Sequence, residues 1–434
     1  MTDSSSKPSV LLFGGLNTYA RALAAFLVPV DGEALVSHLR IVDKFSVYPP
    51  TTYLGSEFPK VLEKPKVEYQ QRNLTVASAV ASAFDPPEGQ APYDYVFDLT
   101  GEVRYDRTEV IQIKTTCTVA RLIGLEAAKC KVKAYVRLQL PFYETHSKGA
   151  HNEKENSKPF STIGTWWHET LRMLAAIPDL NLVILRIGFG YGPYTDFGSV
   201  TSAITVSSVY GYMKKPMRSL WSPGKNPTYT VHVEDIAGGL WSCAEWMAPL
   251  GRSKADEAAG EVIPFDNEKS KVSEVEGMPG ADEKLVAPLF NLVSAPNHRM
   301  LISLTQYFQQ TDDSKSTLLS VGETTTSFFG TTFEFFNFLQ NAAAKWKLEE
   351  MVEDINEHHV GAWTEMITKS DPPIPNTPLT AYMDSYSLQK HVVAFDNSKI
   401  KEVVGYKLRH PEFNHEVIKD IINKWKAEGS WPNL

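Results

Sequence analysis

Three cysteines in 434 residues, Cys117, Cys130 and Cys243, are too few and too scattered for a disulfide framework. Their number is odd and none stands in C-x-x-C spacing, so they read as reduced, packed thiols of a cytoplasmic protein. Long apolar runs are missing too. The start "MTDSSSKPSVLLFGG" is polar up to Ser9, and the apolar stretch after it is short and glycine-interrupted. No other segment reaches membrane-spanning length, so neither a signal peptide nor a membrane span is expected. There is also no basic stripe: the net charge is -8, which argues against a nucleic-acid partner. Residues 251–286 carry nine acids (Asp256, Glu257, Glu261, Asp266, Glu268, Glu274, Glu276, Asp282, Glu283) against five bases (Arg252, Lys254, Lys269, Lys271, Lys284), a net of -4. Poor in aromatics and rich in Gly, Pro, Glu and Lys, this stretch reads as an acidic, flexible surface insertion. What remains is 43% hydrophobic overall, ample for a core in one large or two moderate domains.

The N-terminal half alternates β-like runs with helical patterns, as in a parallel sheet covered by helices on both faces. The strand candidates are "SVLLFGG", "HLRIVDK", "VEYQQRN", "YDYVFDLTG", "VKAYVRLQL" and "LNLVILRIG". Helical stretches such as "YARALAAFLV", "VASAVASAF", "TTCTVARLIGLEAAK" and "WWHETLRMLAAI" lie between them. Continuous apolar runs such as "YVFDL" and "LVILRI" suit strands buried on both sides. After Pro193 the rhythm changes. "VTSAITVSSVYGYMKK" reads as a helix, "TYTVHVEDIAGGLWSCAEWMA" as a strand feeding a helix, and "PLFNLVS" as a further strand. An aromatic-rich helix ("FEFFNFLQNAAAKWKLEEMV") and a Pro-rich linker ("SDPPIPNTPLT") follow.

The first strand ends in "LLFGGLNTYARALAAFL". A dinucleotide turn needs a tight bend, a point where backbone approaches the pyrophosphate, and a small residue where helix meets strand. Gly14 can supply the first and Ala20 the third. Asn17 stands at the second, and Asn visits the left-handed region more readily than most residues. The second strand ends in Asp43, where a carboxylate accepts hydrogen bonds from ribose hydroxyls and repels a 2′-phosphate, favouring NAD over NADP. Lys44 beside it leaves some tolerance for NADP. The alternative for Asp43 is an exposed strand-end carboxylate.

Five stretches in one order, "LFGGLNTYA", "LIGLEAAK", "LRIGFGYGPY", "VHVEDIAGGL" and "FDNSKIKEVVGYK", match T-G-x-x-G-x-x-G, L-L-E-A-A, L-R-P-x-x-V-Y-G-P, V-H-V-x-D-x-A and D-x-S-K-A-x-x-x-L-G-W. In these the chain resembles the extended short-chain dehydrogenase/reductase superfamily, which includes NAD-dependent sugar-nucleotide epimerases and dehydratases. The resemblance implies an α/β protein: a Rossmann-type doubly wound parallel sheet with a smaller C-terminal α+β substrate domain. The dinucleotide domain would span 8–200, completed by about 229–248 and 288–295, and the substrate domain 201–228 and 296–434. It also places Asn73 and Leu74 near the adenine, Leu99, Thr100 and Gly101 along the cofactor, and Ile187 and Gly188 by the nicotinamide. The proline after Arg186 in L-R-P is absent here. A homodimer is likewise what the resemblance implies.

The family's chemistry uses a tyrosine with a lysine four residues later on one helical face, and a Ser or Thr on the substrate oxygen. Alignment on Glu169 puts Ser161 and Thr165 at the pair, and no tyrosine lies between Tyr143 and Tyr191. Gln139 replaces the Ser or Thr. Positioned acid–base groups are worth about 10²–10⁴-fold in rate, so their loss argues against ordinary dehydrogenase chemistry.

The substitutes are Tyr143, as active hydroxyl or packed aromatic, and His168, as a general base. Adjacent His168 and Glu169 point about 100° apart on a helix and cannot share one substrate. No second histidine follows as in H-E-x-x-H, and no metal is expected there or at His146, His151, His358 or His359. Trp166 and Trp167 either wall a substrate pocket, which Tyr191 would join, or pack their helix on its neighbour. A second resemblance, to the plant progesterone 5β-reductase and iridoid synthase group, rests on "RLQLP" and the paired aromatics; its active tyrosine would fall on or beside the tryptophans. The sequence therefore supports an atypical NAD-binding epimerase/dehydratase-like protein acting on a sugar nucleotide or other small hydroxy or carbonyl metabolite. Its alternatives are a non-catalytic NAD(P)-binding sensor or scaffold, and an ene-reductase or isomerase.

Overall fold

Strands too apolar to leave either face in water have to lie inside a sheet, and most of the runs picked out above do. The computed structural model of the chain describes residues 7–146, 148–214, 229–294, 343–383 and 392–434. In chain order the elements are β1 (Ser9–Phe13), α1 (Thr18–Leu27), β2 (His38–Asp43), α2 (Phe58–Leu62), β3 (Val67–Gln71), α3 (Ala77–Ala83), β4 (Tyr95–Asp98) and α4 (Glu109–Gln112). A π-helical turn, Ile113–Thr118, leads into α5 (Val119–Lys129). Then come β5 (Ala134–Gln139), β6 (Tyr143–Glu144), β7 (Lys158–Pro159), α6 (Ser161–Ala175), β8 (Leu182–Ile187), β9 (Phe189–Tyr191), α7 (Ser199–Met213), β10 (Thr230–His232), α8 (Val233–Met247), α9 (Gly251–Ala259), β11 (Gly260–Ile263), α10 (Lys269–Ser273) and β12 (Leu285–Leu292). Two further helices span Ala343–Lys369 and His415–Ala427.

The chain divides into two compact units: Met1–Gly188 with Val231–Ser294 and Phe395–His410, and Phe189–Thr230 with Ala295–Ala394 and Pro411–Leu434. The first holds an eight-stranded sheet ordered β3-β2-β1-β4-β5-β8-β12-β11. All neighbours run parallel except β11, which is antiparallel to β12. Strand order reverses between β1 and β4, so the carboxyl ends of these two strands border the crevice where doubly wound sheets bind ligands. On one face Leu11, Phe13, Tyr135, Leu182 and Ile184 pack against Ile123 and Ala127 of α5 and Leu171 and Leu174 of α6. Helix α6 forms because Ile163, Trp166, Trp167, Leu171 and Leu174 recur at three- and four-residue spacing, and it stops before Pro178.

Residues 251–286, expected to be a flexible insertion, are instead part of the first unit. Most of their charges face outward, Arg252 and Glu261 excepted, while Ala255, Ala259, Ile263, Val272 and Leu285 turn inward, and β11 joins the sheet. Arg252 ties α9 down by donating to the carbonyls of Leu180 (3.0 Å) and Val286 (2.6 Å). Residues 395–410, expected in the C-terminal domain, also belong to the first unit: Phe395 bridges to His151 and Lys399 donates to the Ala259 carbonyl.

In the second unit, β9 follows a backbone bond from Phe189 N–H to the Tyr229 carbonyl (2.9 Å), and Trp363, Trp425 and Trp431 pack with ring centroids 5.4 Å apart. The "SDPPIPNTPLT" stretch is docked there, with Leu379 buried and its carbonyl accepting from Trp363 Nε1 (3.2 Å). The expected aromatic-rich helix lies outside the described residues up to residue 342; the part from Ala343 is helical. No helix among the described residues is long and apolar enough to cross a membrane.

Candidate active site

The turn after β1 is built as a phosphate-binding turn would be, but with its donors partly used. Gly14 has φ +74°, and a β-carbon there would sit 2.8 Å from the Leu99 carbonyl oxygen, so only glycine fits. Asn17 caps α1: its Oδ1 accepts from Ala20 N–H (3.0 Å) while its Nδ2 donates to the Leu99 carbonyl (2.7 Å). Asp43 is buried rather than exposed. Its carboxylate accepts from Leu16 N–H (2.9 Å) and Lys44 N–H (2.6 Å), and burial raises its pKa above the usual carboxylate range. Lys44 points to solvent with its ammonium 5.1 Å from the centre of the Phe45 ring.

At the ends of β4 and β5 the sheet turns polar. Asp98, in register with Arg137, is completely buried. Its carboxylate accepts from Tyr135 Oη (2.6 Å), Thr100 Oγ1 (2.6 Å) and Thr100 N–H (2.9 Å), and pairs with Arg137 Nη1 (2.8 Å). The Arg137 guanidinium lies 4.8 Å from the Trp167 ring centre, a cation–π contact that faces its otherwise unbonded nitrogens. Trp167 is pressed flat on Gly101, where an added β-carbon would fall 2.3 Å from the indole, and its Nε1 donates to the Glu102 carbonyl (2.7 Å). Thus Trp167 covers Gly101, one of the three residues expected along the cofactor. Sequence reasoning missed the Asp98–Arg137 pair, although a charge inside the apolar run "AYVRLQ" was its signal.

Tyr143 and His168 come together in a closed arrangement. The Tyr143 hydroxyl lies 3.1 Å from His168 Nδ1, and His168 Nε2 lies 2.8 Å from the Pro264 carbonyl. A carbonyl only accepts, so Nε2 carries the proton, and Nδ1 accepts from the tyrosine. Burial pushes the Tyr143 pKa up to about 12 although the Arg186 charge, 5.3 Å from its ring centre, opposes this, and burial brings that of His168 down to about 4. His168 is a neutral tie to residues 264–266 and not a free base. Glu169 does the same work on the next helical face: it accepts from Asp266 N–H (2.9 Å), and burial raises its pKa. Gln139 is buried in register with Arg186, donating from Nε2 to the Leu140 carbonyl (3.3 Å).

The remaining expectations separate. Asn73 is exposed and bonds Thr75, whereas Leu74 is in the core. Ile187 is buried at the end of β8, and Gly188 N–H donates to the Leu292 carbonyl (3.2 Å). Trp166 points away from Trp167 into a cluster with Cys117, Met173 and Val272, its Nε1 on Glu109 (3.0 Å), so it packs rather than walls a pocket. Tyr191 belongs to the second unit, packed against Phe413 with centroids 4.8 Å apart. Among the described residues, His232, Glu234 and His410 bring ligand-type atoms within 4.8 Å of one another. There Glu234 N–H caps onto His232 Nδ1 (3.2 Å) and His410 Nε2 hydrogen-bonds the Glu234 carboxylate (2.9 Å), which accounts for the cluster as a helix start and a side-chain contact.

No protein-family model matches the chain, and no curated protein does. Solved structures do. The enzyme WbmG of Bordetella bronchiseptica in complex with NAD superimposes with a TM-score of 0.56 at 14% identity, over 99% of this chain and 98% of that one. UDP-glucose 4-epimerase of Thermotoga maritima with UDP-glucose gives 0.57 at 13%, over 96% and 99%. The dTDP-glucose 4,6-dehydratase DesIV of Streptomyces venezuelae, with NAD bound, gives 0.53 at 13%, over 98% of each. At 13–14% identity these likenesses show a shared fold: this chain is built like these three enzymes.

Proposed function

We propose that the protein holds a nicotinamide adenine dinucleotide at the carboxyl ends of β1, β2 and β4, and holds it without turning it over, as an NAD-dependent sensor or scaffold. The observation that carries the reading is that every candidate acid or base is already spent. Tyr143 donates to His168, His168 donates to Pro264, and Trp167 with Arg137 fills the space over Gly101. The chain's own residues fit a dinucleotide: Gly14, at φ +74°, makes the tight bend that brings the start of α1 to the carboxyl end of β1, and Asp43 stands where ribose hydroxyls need an acceptor. A 2′-phosphate beside a buried carboxylate is unfavourable, so NAD is preferred to NADP. NAD, when bound, supplies hydride chemistry in enzymes of this fold; here the polypeptide contributes binding and orientation.

The test is the nucleotide content of the purified protein, followed by calorimetry with NAD and NADP and by absorbance of NADH in the presence of UDP- and dTDP-sugars. Expected are micromolar or tighter NAD binding, weaker NADP binding and no change in redox state. Lack of binding to either nucleotide would sink the reading.

One contact favours a second reading, an epimerase or dehydratase of sugar nucleotides. The Arg186 guanidinium lies 5.3 Å from the Tyr143 ring centre, and its charge opposes the effect of burial on the tyrosine's pKa, the part a lysine would play. Sugar-nucleotide turnover that disappears in Tyr143→Phe would establish it over the first.

A further inference from the structure

We infer that Asn17 is a built-in competitor for the pyrophosphate, a side chain the nucleotide must displace and which sets how tightly the site binds. The inference rests on the dinucleotide reading above. Asn17 stands where the strand order reverses, and its amide joins the loop after β1 to the loop after β4. The two groups it engages matter to an anion in opposite ways. Ala20 N–H is a first-turn donor of the kind a phosphate takes at a helix start, and the Leu99 carbonyl is an acceptor that repels a phosphate. The amide occupies the donor through Oδ1 and covers the acceptor through Nδ2. It is half-buried, so a ligand entering the crevice reaches it. The crevice is narrow at this level, because Gly14 already lies against the Leu99 carbonyl with no room for a methyl group. A pyrophosphate therefore enters only as the Asn17 side chain swings out and gives up both bonds.

Glycine is tolerated at a helix start nearly as well as asparagine, so Asn17→Gly removes the competitor at little cost to folding. The full-length protein and its variants are titrated calorimetrically with ADP-ribose, which has the pyrophosphate, and with adenosine, which lacks it. Asn17→Gly is expected to bind ADP-ribose about tenfold tighter, the worth of one to two hydrogen bonds, with adenosine binding unchanged. Asn17→Ser, which can cap Ala20 but is too short for Leu99, should gain about threefold. Asn17→Asp, with a charge facing the phosphate, should lose about tenfold at an unchanged melting temperature.

If wild type binds ADP-ribose and neither Asn17→Gly nor Asn17→Ser gains affinity, the inference is overturned and the dinucleotide reading stands. An equal gain for adenosine also overturns it, because that reports general loosening. If no form of the protein binds ADP-ribose or NAD, the dinucleotide reading fails first and this inference with it.

Discussion

Replacing His168 by glutamine separates a structural tie from a catalytic base. Burial lowers the His168 pKa from its ordinary 6.5 to about 4. Between these values the unfolded chain binds a proton that the native protein refuses, so stability falls as the pH drops from 6.5 towards 4. The loss from this one group is negligible above pH 7, about 2 kcal/mol at pH 5 and about 3 kcal/mol below pH 4. Glu153 and Glu169, whose pKa values burial raises, act with the opposite sign, and both are present in wild type and variant alike. Glutamine can still donate to Pro264 but does not titrate, so His168→Gln should cost about 1 kcal/mol at pH 7.5 and be relatively more stable at pH 5. Hydrogen exchange read by mass spectrometry on peptides spanning β5, corrected for intrinsic rates, measures this in the first unit alone. Parallel loss of protection in the two proteins between pH 7.5 and 5 would refute the neutral, carbonyl-bound histidine.

Three further outcomes follow from the same centre. Gly101→Ala forces a side chain onto a residue at φ +140° and into Trp167, and should lower stability by about 3 kcal/mol or more, seen as a fall in melting temperature. Asp98→Ala strands the Arg137 charge and should cost about 3–5 kcal/mol, whereas the double change Asp98→Leu with Arg137→Met should recover most of it in a double-mutant cycle. Among the thiols only Cys130 is partly exposed, so native protein should take up one maleimide per chain. Cys117, whose pKa burial raises to about 12, and Cys243 should react only after unfolding; rapid native labelling of Cys117 would contradict its burial.

The sheet was legible because its evidence is local. "SVLLF" and "LVILRI" are apolar without alternation, which suits strands covered on both sides, and Gly14 and Asn17 punctuate the first crossover. The candidate centre was legible only in part. Tyr143 and His168 stood out as a hydroxyl and an imidazole, but their pairing did not, and the carbonyl that engages His168 lies 96 residues away, at Pro264. The same distance hid the fate of 251–286. Composition records how many charges a segment carries, not that Arg172 donates to the carbonyls of Ile263 (2.8 Å) and Gly280 (2.8 Å) and holds it against the sheet. Asp98 and Arg137 form a pair through strand register, which no single window of sequence contains.

Strand β11 has a consequence for the life of the chain in a crowded cell. It lies outermost, antiparallel to β12, and takes up hydrogen-bonding groups along the Leu285–Pro288 half of a strand whose residues are almost all buried. An uncovered apolar edge recruits strands from other molecules. A cut or deletion within 251–286 would therefore do more than trim an acidic surface: it would expose a template for chain-to-chain pairing, and the first symptom would be insolubility.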